Sequence, residues 1–245
     1  MTPPELLVID FSRDPSSFDW GGGIVAALPP GLRAELVRGS AGAPWADRAQ
    51  RLGCPVVLSG SDVTVPRAAP WFAGQCAELR AAVAAGVPLF GICFGAQLIA
   101  QALDGVAAVR RAARGEFGVT AITPRAALAG DPVLGRCLPP DRPSPVYNLH
   151  ADEVDPDAAR RLELAVLAAS PDCAVQAFRL AGRKVWGVQF HPELTGEKVA
   201  ALAADLAAEF GNATIDAAGR AALTEGPGHR RPDMLEAFLA AARGG

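Results

Sequence analysis

The sequence predicts a three-layer α/β domain, with a central, mostly parallel sheet flanked by helices and an antiparallel extension. Three observations predict it. Short apolar runs alternate with helical segments in the first part of the chain. Strand-like segments then follow one another from Val106 to Phe190. Between the two regimes stands an apolar run, Val87-Pro88-Leu89-Phe90, that enters Gly91-Ile92-Cys93-Phe94-Gly95-Ala96-Gln97. Alternation of strand and helix favours parallel pairing, and consecutive strands favour antiparallel pairing.

Glu5–Phe11 reads as a buried first strand. Ser12–Gly23 is a polar, glycine-rich loop, and Ile24–Leu28 a short helix or turn. Ala34–Val37 is the second strand and Pro55–Leu58 the third, ending at Ser59-Gly60-Ser61. Trp71–Ala85 is helical, because Phe72, Cys76, Leu79 and Val83 recur at helical spacing. Val87–Phe90 is a strand and Ala96–Leu103 the helix after it. The later strands are Val106–Arg110, Val119–Thr123, Val146–Leu149, Leu164–Ala168, Ala174–Arg179 and Lys184–Phe190. The last two flank Ala181-Gly182-Arg183 and form a hairpin. Thr195–Phe210 is a helix capped by Thr195, with Val199, Leu202, Leu206 and Phe210 on one face. These elements make residues 1–210 one domain. Residues 211–245 follow as a polar linker to Gly228 and a final amphipathic helix, Asp233–Arg243, packed on the same domain.

Composition excludes several function classes. Half of the 245 residues are hydrophobic, so a sizeable core forms. A net charge of −3 gives no electrostatic footprint for nucleic acid or an anionic membrane. No apolar run approaches the roughly 20 residues that span a bilayer. The first residues have no basic region of the kind that opens a secretory signal. Five cysteines without a paired CxxC spacing point to a reduced, cytoplasmic protein and away from zinc.

Gly91 to Gly95 is the sequence of a nucleophile elbow. A nucleophile on such a turn sits in a strained backbone, and side chains two positions away on either side would collide with it. Cys93 is thereby held at the first turn of a helix, where unpaired N–H groups favour an anion. A free thiol has a pKa near ~8.5, and a helix terminus supplies at most ~2 kcal/mol, or about 1.5 pK units. The thiol therefore needs a base. Val188-Gln189-Phe190-His191-Pro192-Glu193 supplies one at another strand end, with Glu193 placed to hold the His191 ring. The N–H of Phe94, directly after the nucleophile, and Gly60 at the end of the third strand are candidate oxyanion donors.

The chain resembles the class I, triad-type glutamine amidotransferases, and among them the free-standing group similar to the amidotransferase part of GMP synthase. The resemblance runs from about Pro55 to Glu193. It rests on VVLSGS, GICFGAQLIAQALDG, Arg114-Gly115-Glu116-Phe117-Gly118, Tyr147-Asn148-Leu149-His150-Ala151-Asp152, and SPDCAVQAFR leading to VWGVQFHPE. It implies the flavodoxin-like sheet of that family. It also implies a γ-glutamyl thioester on Cys93, acid–base work by His191, orientation of His191 by Glu193, and oxyanion donors at Gly60 and Phe94. Gln97 would bind the amino-acid end of the substrate, and the region around His150 would form the opposite wall. Taken alone, Gln97 is a solvated helix residue, His150 a strand-end histidine and Glu116 a surface carboxylate.

The implied reaction is glutamine hydrolysis, with ammonia delivered to a separate ATP-dependent synthetase or other acceptor, and it needs no cofactor or metal. Ala96 and Ala151 depart from the family pattern in a way that would widen or reshape the pocket. They keep open a stand-alone γ-glutamyl amide or peptide hydrolase, and a non-catalytic regulatory role is the third reading.

Overall fold

The computed structural model describes residues 2–65, 69–105, 108–199, 202, 231 and 233–244. Nine strands form one sheet: β1 Leu6–Asp10, β2 Ala34–Arg38, β3 Val56–Leu58, β4 Leu89–Ile92, β5 Val109–Pro124, β6 Ser144–Val154, β7 Leu164–Ala169, β8 Ala177–Leu180 and β9 Val185–Val188. Their order is β2-β1-β3-β4-β9-β8-β7-β5-β6. From β2 to β9 every pair is parallel, and from β9 to β6 every pair is antiparallel. The expected parallel sheet with an antiparallel extension is therefore present, and β8–β9 is the expected hairpin.

Strand periodicity builds the three layers. Leu7 and Ile9 of β1 face one core, with Ala49, Leu79, Leu98 and Ala158 of the helices α2 (Ala46–Leu52), α3 (Phe72–Ala84), α4 (Phe94–Asp104) and α5 (Pro156–Arg161). Leu6 and Val8 face the other core, with Ile24 of α1 (Trp20–Val25) and Met234, Leu235 and Phe238 of α6 (Asp233–Arg243). The final amphipathic helix thus seals one face of the sheet. Its Phe238 ring lies 5.4 Å from Phe90 and 6.0 Å from Trp186.

Several elements differ from the sequence reading. Helix α2 was not expected. It buries only small residues, Ala46 and Ala49, and it is started from a distance: Glu78 Oε2 accepts from both Trp45 N and Ala46 N at 2.7 Å. Helix α1 starts at Trp20, inside the expected loop, because Asp19 caps it through Gly22 N at 2.7 Å. Its glycines permit close approach: a Cβ on Gly21 would lie 2.6 Å from Leu36 and 2.7 Å from Asp10.

The two strands expected at Val106–Arg110 and Val119–Thr123 are one 16-residue strand, β5, whose pairing with β6 shifts register between Arg111 and Glu116. Residues 106 and 107 lie outside the described residues. Of the helix expected at Thr195–Phe210, residues 196–199 are helical, and Val199 N–H donates to Thr195 O at 3.0 Å. Most of its continuation and the linker after Gly211 lie outside the described residues.

Candidate active site

The parallel strands bring their carboxyl ends together, the usual place for ligands in open α/β sheets. Cys93 follows β4 and has φ 50° and ψ −106°, a conformation that costs about 1–3 kcal/mol for a non-glycine residue. The surrounding glycines are required by contact: a Cβ on Gly91 would lie 2.6 Å from Ala96 N, and one on Gly95 would lie 2.5 Å from Leu58 O. Cys93 N–H donates to Val188 O at 2.7 Å, and Gly95 N–H donates to Ser59 O at 3.1 Å. The elbow is therefore tied to the ends of both β9 and β3.

Three residues beyond β9, His191 N–H donates to Tyr147 O at 2.8 Å, which fastens the histidine to β6. Its Nδ1 lies 2.8 Å from Glu193 Oε1, and both side chains are buried. The Trp20 ring covers the imidazole at a centroid distance of 4.9 Å. Burial opposes a charged ring here, but the Glu193 carboxylate and the Cys93 thiolate outweigh it and push the His191 pKa up to about 10. Nε2 is buried without an aligned hydrogen bond, while the Cys93 sulfur is near enough to act on it by charge and as an acceptor. The arrangement favours a protonated imidazole beside the sulfur. Burial pushes the thiols of Cys54, Cys76 and Cys173 up, and that of Cys137 to about 12.

Gly60 packs under His191, where a Cβ would lie 3.0 Å from both the imidazole Cε1 and the Trp20 ring. Among the described residues, neither Gly60 N–H nor Phe94 N–H donates to a protein acceptor. The cleft over Cys93 is lined on one side by Ser61, Asp62, Val63 and Thr64. On the other side stand Leu149, His150, Ala151 and Asp152, and Phe94 and Gln97 line it beside the cysteine.

The remaining sequence candidates need adjustment. Gln97 is buried, not solvated, and its Nε2 donates to Asp152 O at 2.8 Å and Gln189 Oε1 at 3.0 Å. His150 uses both ring nitrogens, Nδ1 with Asp152 O at 3.1 Å and Nε2 with Glu116 Oε2 at 2.9 Å. Glu116 is no surface carboxylate: it is buried and also accepts from Gln176 Nε2. Ala96 does not border the cleft. Its Cβ faces β9, 2.9 Å from where a Gly187 Cβ would be. Ala151 does line the cleft. Sequence reasoning passed over Trp20, which carried no local signal. It also passed over Gln189, which stands inside the His-Pro-Glu motif and whose Nε2 donates to Cys93 Sγ at 3.4 Å.

A family profile described as "Glutamine amidotransferase class-I" matches residues 56–205, which contain the elbow, the histidine and the glutamate. The chain belongs to the class I glutamine amidotransferase family. Among curated relatives, it is 36% identical over 157 residues to the glutamine-hydrolyzing GMP synthase of Parafrankia sp., covering 62% of this chain and 25% of that protein. It is 40% identical over 109 residues to one of the subunits of the glutamine-hydrolyzing GMP synthase of Saccharolobus solfataricus, covering 44% of this chain and 52% of that protein. The chain thus spans between a quarter and about half the length of these two relatives.

Solved structures share the fold of this amidotransferase. A glutamine amidotransferase of Methylobacillus flagellatus aligns over 99% of this chain and 96% of its own, with a TM-score of 0.70 and 21% identity. One from Thermotoga maritima aligns over all of both chains, with a TM-score of 0.70 and 19% identity. No helix among the described residues is long and apolar enough to cross a membrane.

Proposed function

We propose that this class I amidotransferase hydrolyses the side-chain amide of glutamine and passes the ammonia to a separate ATP-dependent synthetase. The observation that carries this reading is Cys93 on a strained elbow beside a buried His191–Glu193 pair. The Cys93 thiolate attacks the γ-carbonyl carbon. The tetrahedral oxyanion is received by the N–H groups of Gly60 and Phe94, donors typically worth ~2.7–4 kcal/mol of barrier each. His191 gives its proton to the departing nitrogen, which leaves as ammonia, and a γ-glutamyl thioester remains. His191 then takes a proton from water, the resulting hydroxide attacks the thioester, and glutamate leaves with the thiolate restored. Glu193 holds the imidazole in the productive tautomer throughout.

Gln97 and His150 act as braces of the pocket in this scheme, through the Gln97 side-chain nitrogen and both His150 ring nitrogens. Residues 1–210 form the amidotransferase domain, with the C-terminal segment packed on it. Five free cysteines support a reducing, cytoplasmic setting. The names of the relatives support a synthetase that makes GMP as the acceptor.

The test is mass spectrometry of the intact protein after brief exposure to an electrophilic glutamine analogue, together with ammonia release from glutamine. One covalent adduct at Cys93 is expected, with weak ammonia release that rises when the synthetase is added. Glutaminase activity undiminished by Cys93→Ala would overturn the proposal. Because Ala96 faces the sheet, only Ala151 still favours a stand-alone γ-glutamyl hydrolase. Larger γ-glutamyl amides turning over faster than glutamine would select that reading instead.

A further inference from the structure

Gln189 follows β9 two residues before His191, and its buried amide reaches the reacting sulfur. A chain of hydrogen bonds fixes the orientation of that amide, and it begins at a group with a single role. The Asp152 carbonyl oxygen only accepts, so the Gln97 atom 2.8 Å from it is the nitrogen. The same nitrogen lies 3.0 Å from the Gln189 side chain, so the Gln189 atom it meets is the oxygen. The Gln189 nitrogen is thereby turned toward Cys93 Sγ, 3.4 Å away. Both N–H groups of Gln97 are committed in holding this arrangement, and burial keeps water from replacing either bond.

We infer that Gln189 is a further catalytic residue, a fixed N–H donor to the Cys93 thiolate, and that Gln97 is the positioning residue that aims it. The inference rests on Cys93 being the nucleophile of the proposed reaction. It also gives Gln97 a task other than gripping substrate. The opposite influence on the sulfur comes from Leu149 O, 3.8 Å away, which accepts from a thiol and repels a thiolate. Gln189 offsets it. As the sulfur attacks, its charge passes to the substrate oxygen and the N–H bond weakens. The donor therefore governs how much thiolate is present more than how fast the thiolate reacts.

Among the described residues, the titratable groups around the sulfur are His191, backed by Glu193, and three groups that line the cleft. Those three are Asp62, Asp152 paired with Arg111, and His150 paired with Glu116. None of them is altered by a substitution at position 189, so a change in the sulfur's titration there reports on the amide.

The experiment is the pH dependence of iodoacetamide alkylation at Cys93, read peptide by peptide in the full-length chain, with near-ultraviolet circular dichroism as the check of folding. Gln189→Met keeps the length of the side chain and removes the N–H donor without adding a charge beside the sulfur. Its alkylation midpoint is expected to rise by about one pH unit, with the rate below the midpoint falling about tenfold. Gln97→Leu, which frees the Gln189 amide to turn, is expected to move the midpoint the same way by a smaller amount. Unchanged midpoints in folded variants would overturn the inference.

A second measurement needs no substitution at either glutamine. In protein labelled at its glutamine side-chain amides, the Gln189 signal is expected to shift with Cys93 ionisation and to lose that shift in Cys93→Ala. A signal indifferent to the thiolate would overturn the inference equally. Neither readout uses glutamine turnover. A wild-type protein that leaves glutamine intact but shows these shifts would remove the amidotransferase activity and leave the role of Gln189 standing.

Discussion

The parallel and antiparallel halves of the sheet do different work. In the parallel half, β1, β3, β4 and β9 are buried along their whole length and are apolar until their carboxyl ends. The polar atoms appear just where those strands stop, at Asp10, Ser59, Cys93 and Gln189–His191. In the antiparallel half, polar side chains are buried in mid-strand. Asn148, His150, Asp152 and Glu153 lie within β6, and Glu116 opposes His150 from β5. The first half delivers the reacting groups on rigid strand ends. The second half supplies a wall and the backbone oxygen that holds His191, and it stiffens that wall with internal hydrogen bonds. Changes in the first half should strike kcat, and changes in the second should strike KM.

The strongest attempt to break this contrast is Cys93→Ala. Glutaminase kcat is expected to fall by a factor on the order of 10⁴ or more, with the melting temperature little changed, since alanine keeps the Cβ and with it the strain at φ 50°. Glu193→Gln comes next, with kcat expected to fall on the order of 10²-fold while glutamine affinity holds. The same variant carries a pH signature. The folded pKa of His191 lies above its ordinary 6.5, so the stability gained from its protonation is full below about 6.5 and is lost as pH rises toward about 10. Melting temperature across that interval should decline in the wild type and decline less in Glu193→Gln, whose missing carboxylate lowers the folded pKa.

Gly95→Ala is a smaller, structural blow to the parallel half. Its Cβ would meet Leu58 O at 2.5 Å, so denaturant titration should show a loss of about 1–3 kcal/mol, with kcat reduced by the displaced elbow. The mildest change is Glu116→Gln in the antiparallel half. It weakens the bonds to His150 and Gln176, and it should cost about 1 kcal/mol and raise KM for glutamine several-fold with kcat nearly intact. An equal fall in kcat would erase the division between the halves.

The same division governs what was readable in the sequence. Cys93 and His191 were legible because each follows an apolar strand and sits in a local motif whose glycine or proline marks a turn. The wall was less legible because its interactions are long-range. Nothing near Glu116 announces that a histidine 34 residues away will bury it. Helix α2 was missed for the same reason, since the carboxylate that starts it stands on α3. The run Arg111-Ala112-Ala113-Arg114-Gly115-Glu116 broke the apolar pattern of β5 and made one strand read as two. Gln189 stands in plain view within its motif and still gives no signal, because a glutamine at a strand end acquires meaning only when the sulfur is seen beside it.

Phe90 and Trp186 are side by side in the β4–β9 pair, and one ring from α6 rests against both. That ring is a common keystone for the two strands that deliver sulfur and imidazole. Proteolytic trimming or a crowded fusion that unseats α6 would silence the enzyme while leaving every reactive atom chemically intact. Such an inactive form would be a mechanical casualty, and reseating the helix, not repairing the chemistry, would be the way to revive it.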